Sequence, residues 1–172
     1  DCLSAILTVF QKVGMTGIEL HLNDRRILSA LRGELSEADW AEALILLDKL
    51  DKIGEEGVKK ECMTKWGRVP SGLEKVLSSR EIESYQSIAP EAVAELKQLQ
   101  EHLQSFATSV NLVVNPTLVR GQDYYTGTIF EIRHPDLSGS LAGGGRYNRL
   151  LEIFGGQETP AFGGSIGFER LL

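Results

Sequence analysis

The chain has 172 residues, 42% of them hydrophobic and 24% charged, a composition typical of one soluble globular domain that can bury its own core. It contains no apolar run of the roughly 20 residues that a membrane-spanning helix needs, and no basic segment followed by an apolar one that would indicate a secretory signal. The net charge of −6 argues against a broad, sequence-blind polyanion binder, although it leaves room for a nucleic acid held by a local basic patch.

Residues 1–36 predict a helix, a strand and a second helix. In the first helix, apolar side chains recur on one face: Leu3, Ile6, Leu7, Phe10 and Val13. Gly14 and Gly17 end this helix. The next apolar residues alternate as in a half-buried strand: Ile18, Leu20 and Leu22. Asn23 and Asp24 are suited to cap a short second helix that ends near Gly33.

Residues 37–108 have the pattern of helices throughout. Ser36 and Asp39 resemble a capping box at the start of this segment, and Pro90 suits the first turn of its last helix. That last helix carries an apolar stripe with 4-3-4-3 spacing: Ala92, Leu96, Leu99, Leu103 and Phe106. Such a stripe can form a coiled-coil dimer or pack against neighbouring helices of the same chain, and we favour packing within the chain.

Residues 109–172 differ in composition, with five arginines, no lysine and most of the glycines, and they predict a sheet. Three strands are expected, at residues 110–114, 128–133 and 161–166. A cluster of three glycines (residues 143–145) is expected to lead into a short helix over residues 146–154, and another helix is expected to start at Gly167. Because turns rather than long helices join these strands, the sheet is expected to be antiparallel, in an α+β fold.

The two cysteines, Cys2 and Cys62, lie far apart and outside any CxxC or Cys/His cluster. A disulfide between them is possible, but two buried thiols in a reducing cytoplasm fit this pattern better. Neither the cysteines nor the three scattered histidines form a ligand set for zinc, so no metal site is expected. We therefore expect a cytoplasmic protein with no membrane partner.

The segment LVRGQDYYTGTIFE (residues 118–131) is the most unusual stretch of the chain. Arg120 beside a glycine presents a planar cation with close backbone approach, which suits a phosphate or a carboxylate. Tyr124 and Tyr125 offer hydroxyl groups and flat faces for a ring. The alternative is an ordinary hairpin with strand aromatics and a surface salt bridge.

Two glycine-rich segments could also approach an anionic ligand. In LAGGGRYNRLLEIFGG (residues 141–156), three glycines before a helix resemble a phosphate cradle, but the segment matches neither GxGxxG nor a Walker A loop, and a tight turn is a simpler account. In PAFGGSIGFERLL (residues 160–172), glycines keep a surface open next to Arg170, which suits a flat anionic ligand such as a nucleotide. The alternative there is a strand–helix turn with a solvated arginine.

Together and in this order, these segments resemble the histidyl-tRNA synthetase family. RGQDYYTGTIFE is similar to the family's histidine-specific signature RGLDYYxxTxFE, and GGGRYN is similar to its next block, GGGRYD. GGSIGFERLL resembles motif 3 of class II aminoacyl-tRNA synthetases, whose arginine binds ATP. LHLNDRRIL and DKLDKIGEEGVKKE also resemble family segments, so the resemblance covers most of the chain and is strongest over residues 112–172.

The resemblance implies a fold, a domain organisation and a reaction. The family fold is an antiparallel sheet flanked by helices, with a helical insertion that leans toward the tRNA acceptor stem. Residues 1–36 and 109–172 match parts of the catalytic core, the second with the histidine signature and motif 3, while residues 37–108 match the insertion. The implied enzyme is a homodimeric histidine–tRNA ligase that activates histidine with ATP, accompanied by Mg²⁺, and transfers it to tRNA(His).

The resemblance also implies roles for individual residues. Arg120 would be the catalytic residue, contacting the α-phosphate of ATP and the histidine carboxylate as charge develops on the leaving pyrophosphate. Arg170 would stack on adenine or pair with the γ-phosphate. The other residues would line the histidine pocket, where a tyrosine hydroxyl helps to read the imidazole: Arg120, Tyr124, Tyr125, Gly143, Gly144, Gly145 and Tyr147.

Three residues depart from the family pattern: Gln122 replaces the usual leucine, Asn148 the usual aspartate, and Gly164 a common apolar residue. None of them has an implied catalytic role. No stretch resembles motif 1, which supports dimerisation, or motif 2, which supplies an arginine on the α-phosphate. The family's acidic residue for the imidazole and its anticodon-binding domain are also not recognised, so we expect the isolated chain to be an inactive fragment of its parent enzyme.

Two other functions are compatible with these observations. The histidyl-synthetase-like regulatory subunit of ATP phosphoribosyltransferase, an enzyme of histidine biosynthesis, shares the fold and can keep the RGxDYYTG block, but it binds histidine as a signal. Because that paralogue has a reduced helical insertion, the helical residues 37–108 and the retained Arg170 favour the synthetase. The third candidate is a non-enzymatic interaction module whose acidic helices dock a partner.

Overall fold

Five strands form a single sheet in the computed structural model, which describes residues 1–106, 110–120 and 124–171. In chain order the strands are β1 (Glu19–Asp24), β2 (Asn111–Val114), β3 (Thr128–Arg133), β4 (Ala142–Arg146) and β5 (Phe162–Ile166). Across the sheet their order is β2-β1-β3-β4-β5. The first strand of the chain therefore lies inside the sheet, between β2 and β3.

Seven α-helices accompany this sheet in the described part of the chain. They are α1 (Cys2–Lys12), α2 (Arg25–Ala30), α3 (Glu37–Asp48), α4 (Leu50–Trp66), α5 (Ser71–Ser78), α6 (Pro90–Phe106) and α7 (Leu150–Ile153). Two 3₁₀-helices occupy Ile82–Tyr85 and Phe168–Arg170. The long helices fall between β1 and β2, and the molecule has the predicted α+β fold, a sheet flanked by helices.

Three of the four strand pairs are antiparallel, as predicted: β1 with β3, β3 with β4, and β4 with β5. The pair of β1 with β2 is parallel, which the sequence did not predict. A parallel pair needs a long crossover connection, and here the helices α2 to α6 supply it. The sheet is therefore antiparallel except at its β2 edge.

The predicted helix–strand–helix module at the start of the chain is confirmed. The apolar face of α1 is buried at Leu3, Ile6, Leu7 and Phe10, and each such side chain stabilises the fold by about 1.5–3 kcal/mol. Asp24 ends β1 and caps α2, because its Oδ1 accepts a hydrogen bond from the backbone N–H of Arg26 at 2.9 Å. Its carboxylate is fully buried and also pairs with the Arg26 guanidinium at 2.9 Å.

The segment between β1 and β2 is helical, with short breaks. Ser36 caps α3 as predicted, since its Oγ accepts from the backbone N–H of Asp39 and donates to the Asp39 carboxylate. Within α4, Gly54 has a φ of 70°, a left-handed conformation that glycine adopts without steric cost and that kinks the helix.

The last long helix, α6, packs within the chain, as favoured over a coiled coil. Three residues of its apolar stripe are buried: Ala92, Leu96 and Leu103. The helix contacts β1, β2 and α2, so its stripe joins the same hydrophobic core as the sheet. Arg26 of α2 donates to Glu95 of α6 at 2.7 Å, an exposed contact between the two helices. The side chain of Phe106 lies outside the described structure.

The glycine cluster does not form a phosphate cradle. The helix predicted over residues 146–154 is also shorter than expected, because it begins only at Leu150. Gly143, Gly144 and Gly145 belong to β4, and the helix that follows, α7, is a single turn. Because β4 pairs with β3 on one side and β5 on the other, the backbone groups of these glycines are used in the sheet ladder. The cluster is also not a tight turn, because pairing with β3 and β5 holds it in an extended conformation. Three consecutive glycines do not predict such a strand from the sequence.

Both cysteines are free thiols, Cys62 buried and Cys2 half-buried. Burial raises the pKa of the Cys62 thiol and makes it unreactive.

Among the described helices, none combines the length and apolar character needed to cross a membrane.

Candidate functional site

The segment that carries Arg120 is fixed by a buried asparagine of the neighbouring strand. Asn23 of β1 is fully buried, and its Nδ2 donates to the carbonyl oxygens of Pro116 at 3.1 Å and Leu118 at 3.0 Å. These two carbonyls flank the path of the chain from β2 to Arg120. Because buried backbone oxygens need a donor, Asn23 holds this irregular segment against the sheet.

A second asparagine closes the same segment on itself. Asn115 Oδ1 accepts from the backbone N–H of Thr117 at 3.1 Å and from its hydroxyl at 2.7 Å, an arrangement typical of Asx turns. Asn115 Nδ2 also lies 3.3 Å from His21 Nδ1, and His21 Nε2 lies 3.0 Å from Glu19 Oε2. The hydrogen bond with His21 is the main cause that lowers the pKa of Glu19. This chain of polar contacts anchors the turn before Arg120 to β1.

The Arg120 guanidinium lies between a serine and a glutamate. Its Nη2 donates to Ser140 Oγ at 3.0 Å and lies 4.0 Å from Glu131 Oε1. Glu131 itself is held by Arg133, whose Nη2 is 2.8 Å away. Arg120 Nε is buried and has no hydrogen-bond partner among the described residues. Part of the cation is therefore fixed by the protein, and 29% of the side chain remains exposed.

Gly143 makes room for this arginine. A β-carbon at position 143 would overlap the Nε, Cζ and Nη2 atoms of Arg120. Gly143 pairs with Glu131 across β3 and β4, so the arginine, the glycine and the glutamate lie on the same face of the sheet. This face is the candidate site.

Three tyrosines form an aromatic cluster on the site. The ring centres of Tyr124 and Tyr125 are 4.3 Å apart, and Tyr147 lies 6.3 Å from each of them. Gly145 clears the space beside this cluster, because a β-carbon there would stand 3.0 Å from Tyr125 Cδ1. A β-carbon at Gly163 would likewise overlap the Tyr147 hydroxyl.

Burial raises the pKa of Tyr125, and a hydrogen bond with Tyr124 adds to the effect. The charge of Arg120 acts in the opposite direction and lowers the same pKa, which links the arginine to the tyrosine cluster. The Tyr125 hydroxyl is neutral at physiological pH, as an ordinary tyrosine is, and can therefore both donate and accept a hydrogen bond.

Gly144 lies on the opposite face of β4 from Gly143 and Gly145, because successive strand residues alternate. A β-carbon there would overlap the backbone of β5 and stand 2.8 Å from the ring of the buried Phe130. Gly144 therefore allows close packing of β4 against β5 behind the site rather than lining it.

Arg170 reaches the site from the C-terminal side of the last strand, β5. It sits at the end of the 3₁₀-helix after β5, is exposed, and donates from Nη1 to the backbone oxygen of Ser140. Its guanidinium packs beside Gly139, whose φ is 79° and whose missing β-carbon would stand 2.8 Å from Nη1. Arg170 is therefore not a freely solvated arginine, and it shares Ser140 with Arg120.

Two of the three departures from the family pattern have a structural account. Asn148 Oδ1 accepts from the backbone N–H of Ala161 at 3.1 Å, a role that needs an acceptor oxygen and no charge. At Gly164, a β-carbon would stand 2.6 Å from Phe130 Cζ, so the large ring of Phe130 occupies the space of a side chain. Gln122 and Asp123 lie outside the described residues.

The site also contains residues whose roles the sequence analysis did not predict. Ser140 and Glu131 contact Arg120, and Asn23 positions its segment, yet a single serine in a turn predicts nothing. Glu131 ends the signature TIFE, which was the one available hint.

A cleft of about 810 Å³ extends from Arg120 toward α3, where Trp40 and Leu44 line it. Within the described ranges, no three acidic, histidine or cysteine side chains are grouped to hold a metal ion.

Comparison with known proteins places the chain in a family. Residues 1–171 match the family model described as histidyl-tRNA synthetase, and the chain belongs to this family. The histidine–tRNA ligase of Leifsonia xyli subsp. xyli is 40% identical over 190 residues, covering all of this chain and 44% of the relative. The chain therefore spans less than half the length of that relative.

Solved structures share the fold. The histidyl-tRNA synthetase from Nostoc sp. PCC 7120 superposes with a TM-score of 0.82 at 27% identity, over 98% of this chain and 44% of its own. A Bacillus halodurans protein described as an ATP phosphoribosyltransferase regulatory subunit/histidyl-tRNA synthetase gives a TM-score of 0.78 at 21% identity, over 99% of this chain and 47% of its own. This second likeness concerns the fold alone.

Proposed function

We propose that this chain supplies histidine- and ATP-contacting residues to a histidine–tRNA ligase, which activates histidine with ATP and transfers it to tRNA(His). The observation that carries the proposal is the position of Arg120 over Gly143, beside the tyrosine cluster and joined to Arg170 through Ser140. An arginine, a cluster of three tyrosines and a second arginine lie close together at one part of the sheet, which supports the proposal.

In the activation step, a carboxylate oxygen of histidine bonds to the α-phosphorus of ATP, and the bond to the bridging oxygen of pyrophosphate breaks. Arg120 is proposed to contact both the carboxylate and the α-phosphate. Its guanidinium offers several N–H donors in a fixed plane, which suits an anion that gains charge as pyrophosphate leaves. Arg120 is partly held by Ser140 and only partly exposed, so little reorganisation is needed when the substrates bind.

The histidine side chain is proposed to bind beside Tyr124, Tyr125 and Tyr147. A neutral tyrosine hydroxyl can donate to or accept from an imidazole nitrogen, and the clustering of the three tyrosine rings supports this role. Such a pocket rejects amino acids that leave its buried polar groups unpaired. Gly143 and Gly145 keep the floor of the pocket free of side chains, and Gly144 supports it from behind.

Arg170 is proposed to bind ATP, by stacking on adenine or pairing with the γ-phosphate. Its exposed guanidinium keeps donors available beside its bond to Ser140. Mg²⁺ would enter with ATP and would supply positive charge to offset the charge on the leaving pyrophosphate.

The remaining partners are proposed from the family. Residues 37–108 would form the helical insertion that faces the tRNA acceptor stem, and the cleft beside Arg120 lies between this segment and the sheet. The whole enzyme would be a cytoplasmic homodimer. We also propose that the isolated chain does not turn over, because no stretch resembles motif 1 or motif 2.

The regulatory-subunit alternative is less well supported. The fold likeness to the Bacillus halodurans protein covers 99% of the chain, so the fold by itself does not separate the two functions. The sequence does favour the ligase, since the relatives with 34–40% identity from Leifsonia, Christiangramia and Flavobacterium are named histidine–tRNA ligases. Histidine binding without any ATP-dependent reaction in the complete gene product would support the regulatory role instead.

The proposal is tested by calorimetric titration with a non-hydrolysable histidyl-adenylate analogue. We expect the chain to bind it, and the double variant Arg120→Ala, Tyr125→Phe to lose binding, while Arg149→Ala, which removes an exposed arginine paired only with Glu152 among the described residues, binds normally. Equal affinity in all three proteins would place the site elsewhere. Histidine-dependent exchange of ATP with pyrophosphate by the isolated chain would overturn its proposed inactivity.

A further inference from the structure

Ser140 is the one described residue that hydrogen-bonds both arginines of the candidate site. Its side-chain Oγ accepts from Arg120 Nη2 at 3.0 Å, and its backbone oxygen accepts from Arg170 Nη1. Arg120 lies between β2 and β3, whereas Arg170, 50 residues later in the sequence, ends the 3₁₀-helix after β5. A single residue therefore joins the two cations.

The backbone of Ser140 is a rigid support. The next residue, Leu141, is fully buried, its N–H donates to Ile132 of β3 at 2.7 Å, and its oxygen accepts from Gly167 at 2.8 Å. These bonds tie the start of β4 to the strand on one side and to the turn after β5 on the other. Ser140 stands at the junction, where its position is set by the sheet.

Gly139, the residue before Ser140, lets Arg170 approach the turn closely. Gly139 has a φ of 79°, a conformation that residues with a β-carbon adopt at a cost. The glycine leaves space that the Arg170 guanidinium occupies. The turn therefore presents the Ser140 carbonyl to Arg170 while the Ser140 side chain points to Arg120.

Within the described residues, the serine hydroxyl is the one hydrogen-bond acceptor of the Arg120 guanidinium. The Glu131 carboxylate lies farther away, at 4.0 Å, and is already bonded to Arg133. Arg120 Nε is buried without a partner. The orientation of the guanidinium therefore depends on the bond to Ser140, which is the hydrogen bond that holds Nη2 in place.

We propose that Ser140 is a positioning residue of the activation step: its hydroxyl sets the orientation of Arg120, and its carbonyl places Arg170 beside the same point. This inference rests on the proposed function. Replacement of Ser140 by alanine removes the bond between its hydroxyl and Arg120. The backbone oxygen that accepts from Arg170 stays in place. Ser140→Ala should therefore lower the rate of the step that Arg120 serves and leave ATP affinity through Arg170 nearly unchanged.

The test uses the complete gene product and the exchange of ATP with pyrophosphate. We expect Ser140→Ala to lower kcat about ten- to a hundredfold, the range for a misplaced catalytic group, with a change of less than about twofold in the KM for ATP. Ser140→Thr, which keeps the hydroxyl, should restore most of the rate. Ser138→Ala is the matched control, because Ser138 is an exposed serine two residues away in the same connection.

A double variant separates positioning from a general structural defect. If Ser140 acts through Arg120, then adding Ser140→Ala to Arg120→Ala should lower kcat no further. Additive losses, or a Ser140→Ala variant as active as Ser138→Ala, would overturn the inference while the proposed function stands. Absence of exchange in the unsubstituted gene product would overturn the proposed function, and the inference with it.

Discussion

The guanidinium of Arg120 occupies the space where a β-carbon on Gly143 would stand. The contact is between the end of a long flexible side chain and a strand whose backbone is fixed by two neighbours. Any side chain at position 143 must therefore displace the arginine rather than the strand. The glycine serves the site more than it serves the fold.

We predict that Gly143→Ala folds but binds ligand poorly. Because Arg120 can swing away, the free energy of unfolding should change by less than about 1 kcal/mol, near the intrinsic gain of alanine over glycine in a strand. Affinity for the histidyl-adenylate analogue should fall at least tenfold, measured by calorimetry. Unchanged affinity would show that the position of Arg120 does not matter for binding.

The matched control is Gly144→Ala in the same strand. Its β-carbon would overlap the Gly163 oxygen, and the β5 backbone cannot yield as a side chain does. We therefore expect this variant to lose about 1–3 kcal/mol of stability or more, the usual cost of overpacking. Urea unfolding of both variants gives the comparison, and equal stability would mean that the β5 backbone yields to an added β-carbon as readily as Arg120 does.

A second prediction concerns Asn23, which donates to the carbonyls of Pro116 and Leu118 from a fully buried position. Asn23→Ala leaves both oxygens without a donor, so we expect a loss of about 1–3 kcal/mol for each unsatisfied group that water does not reach. The segment carrying Arg120 should also loosen, which amide hydrogen exchange at residues 117–120 would detect. Asn111→Ala, which removes an exposed amide bonded to Glu19, should change neither quantity.

Periodicity in the sequence was sufficient to predict the elements whose burial pattern is local. The stripe of α1 and the cap at Asp24 each follow from neighbouring residues, and both are confirmed. The strand β4 was not predictable, because Ala142 and three glycines carry no alternating apolar pattern. Its conformation is imposed by β3 and β5, which come from elsewhere in the sequence. The parallel pairing of β2 with β1 was also not predictable, because local sequence does not show which edge of the sheet a distant strand joins.

The site was predictable to the extent that its residues lie in unusual local patterns. Arg120 and the paired tyrosines stand together in a short signature, and the structure brings Tyr147 and Arg120 to the same face of the sheet. Ser140 was not predictable, because it becomes distinctive only through contacts with residues 20 and 30 positions away. A serine in a polar turn has no property in the sequence that marks such contacts.

A third prediction concerns the ion pair between Arg26 and the buried Asp24. Removing the guanidinium leaves a buried carboxylate without its main counter-charge, so Arg26→Met should be destabilising. We expect a loss of roughly 2–3 kcal/mol, below the full penalty for a broken buried pair, because Asp24 still accepts from the backbone N–H of residue 26. Arg149→Met, which breaks an exposed pair with Glu152, should unfold at the same urea concentration as the unsubstituted chain.

A fourth prediction concerns stability at alkaline pH. Burial raises the pKa of Tyr85 from 10.0 to about 12, and its hydroxyl donates to the Ser79 oxygen at 2.7 Å. In the unfolded chain this tyrosine loses its proton near its ordinary pKa of about 10. Between these two values the unfolded state holds fewer protons than the folded state, so the free energy of unfolding falls as pH rises.

The contribution of Tyr85 is therefore fully present below pH 10 and is lost as pH approaches about 12. We expect Tyr85→Phe to be less stable than the unsubstituted chain at pH 8, because the hydrogen bond to Ser79 is gone. The difference between the two proteins should shrink as pH rises from 10 to 12, since phenylalanine has no proton to lose. Urea unfolding at intervals of pH gives this difference directly. A gap that stays constant over the range would mean that the Tyr85 hydroxyl ionises equally in both states.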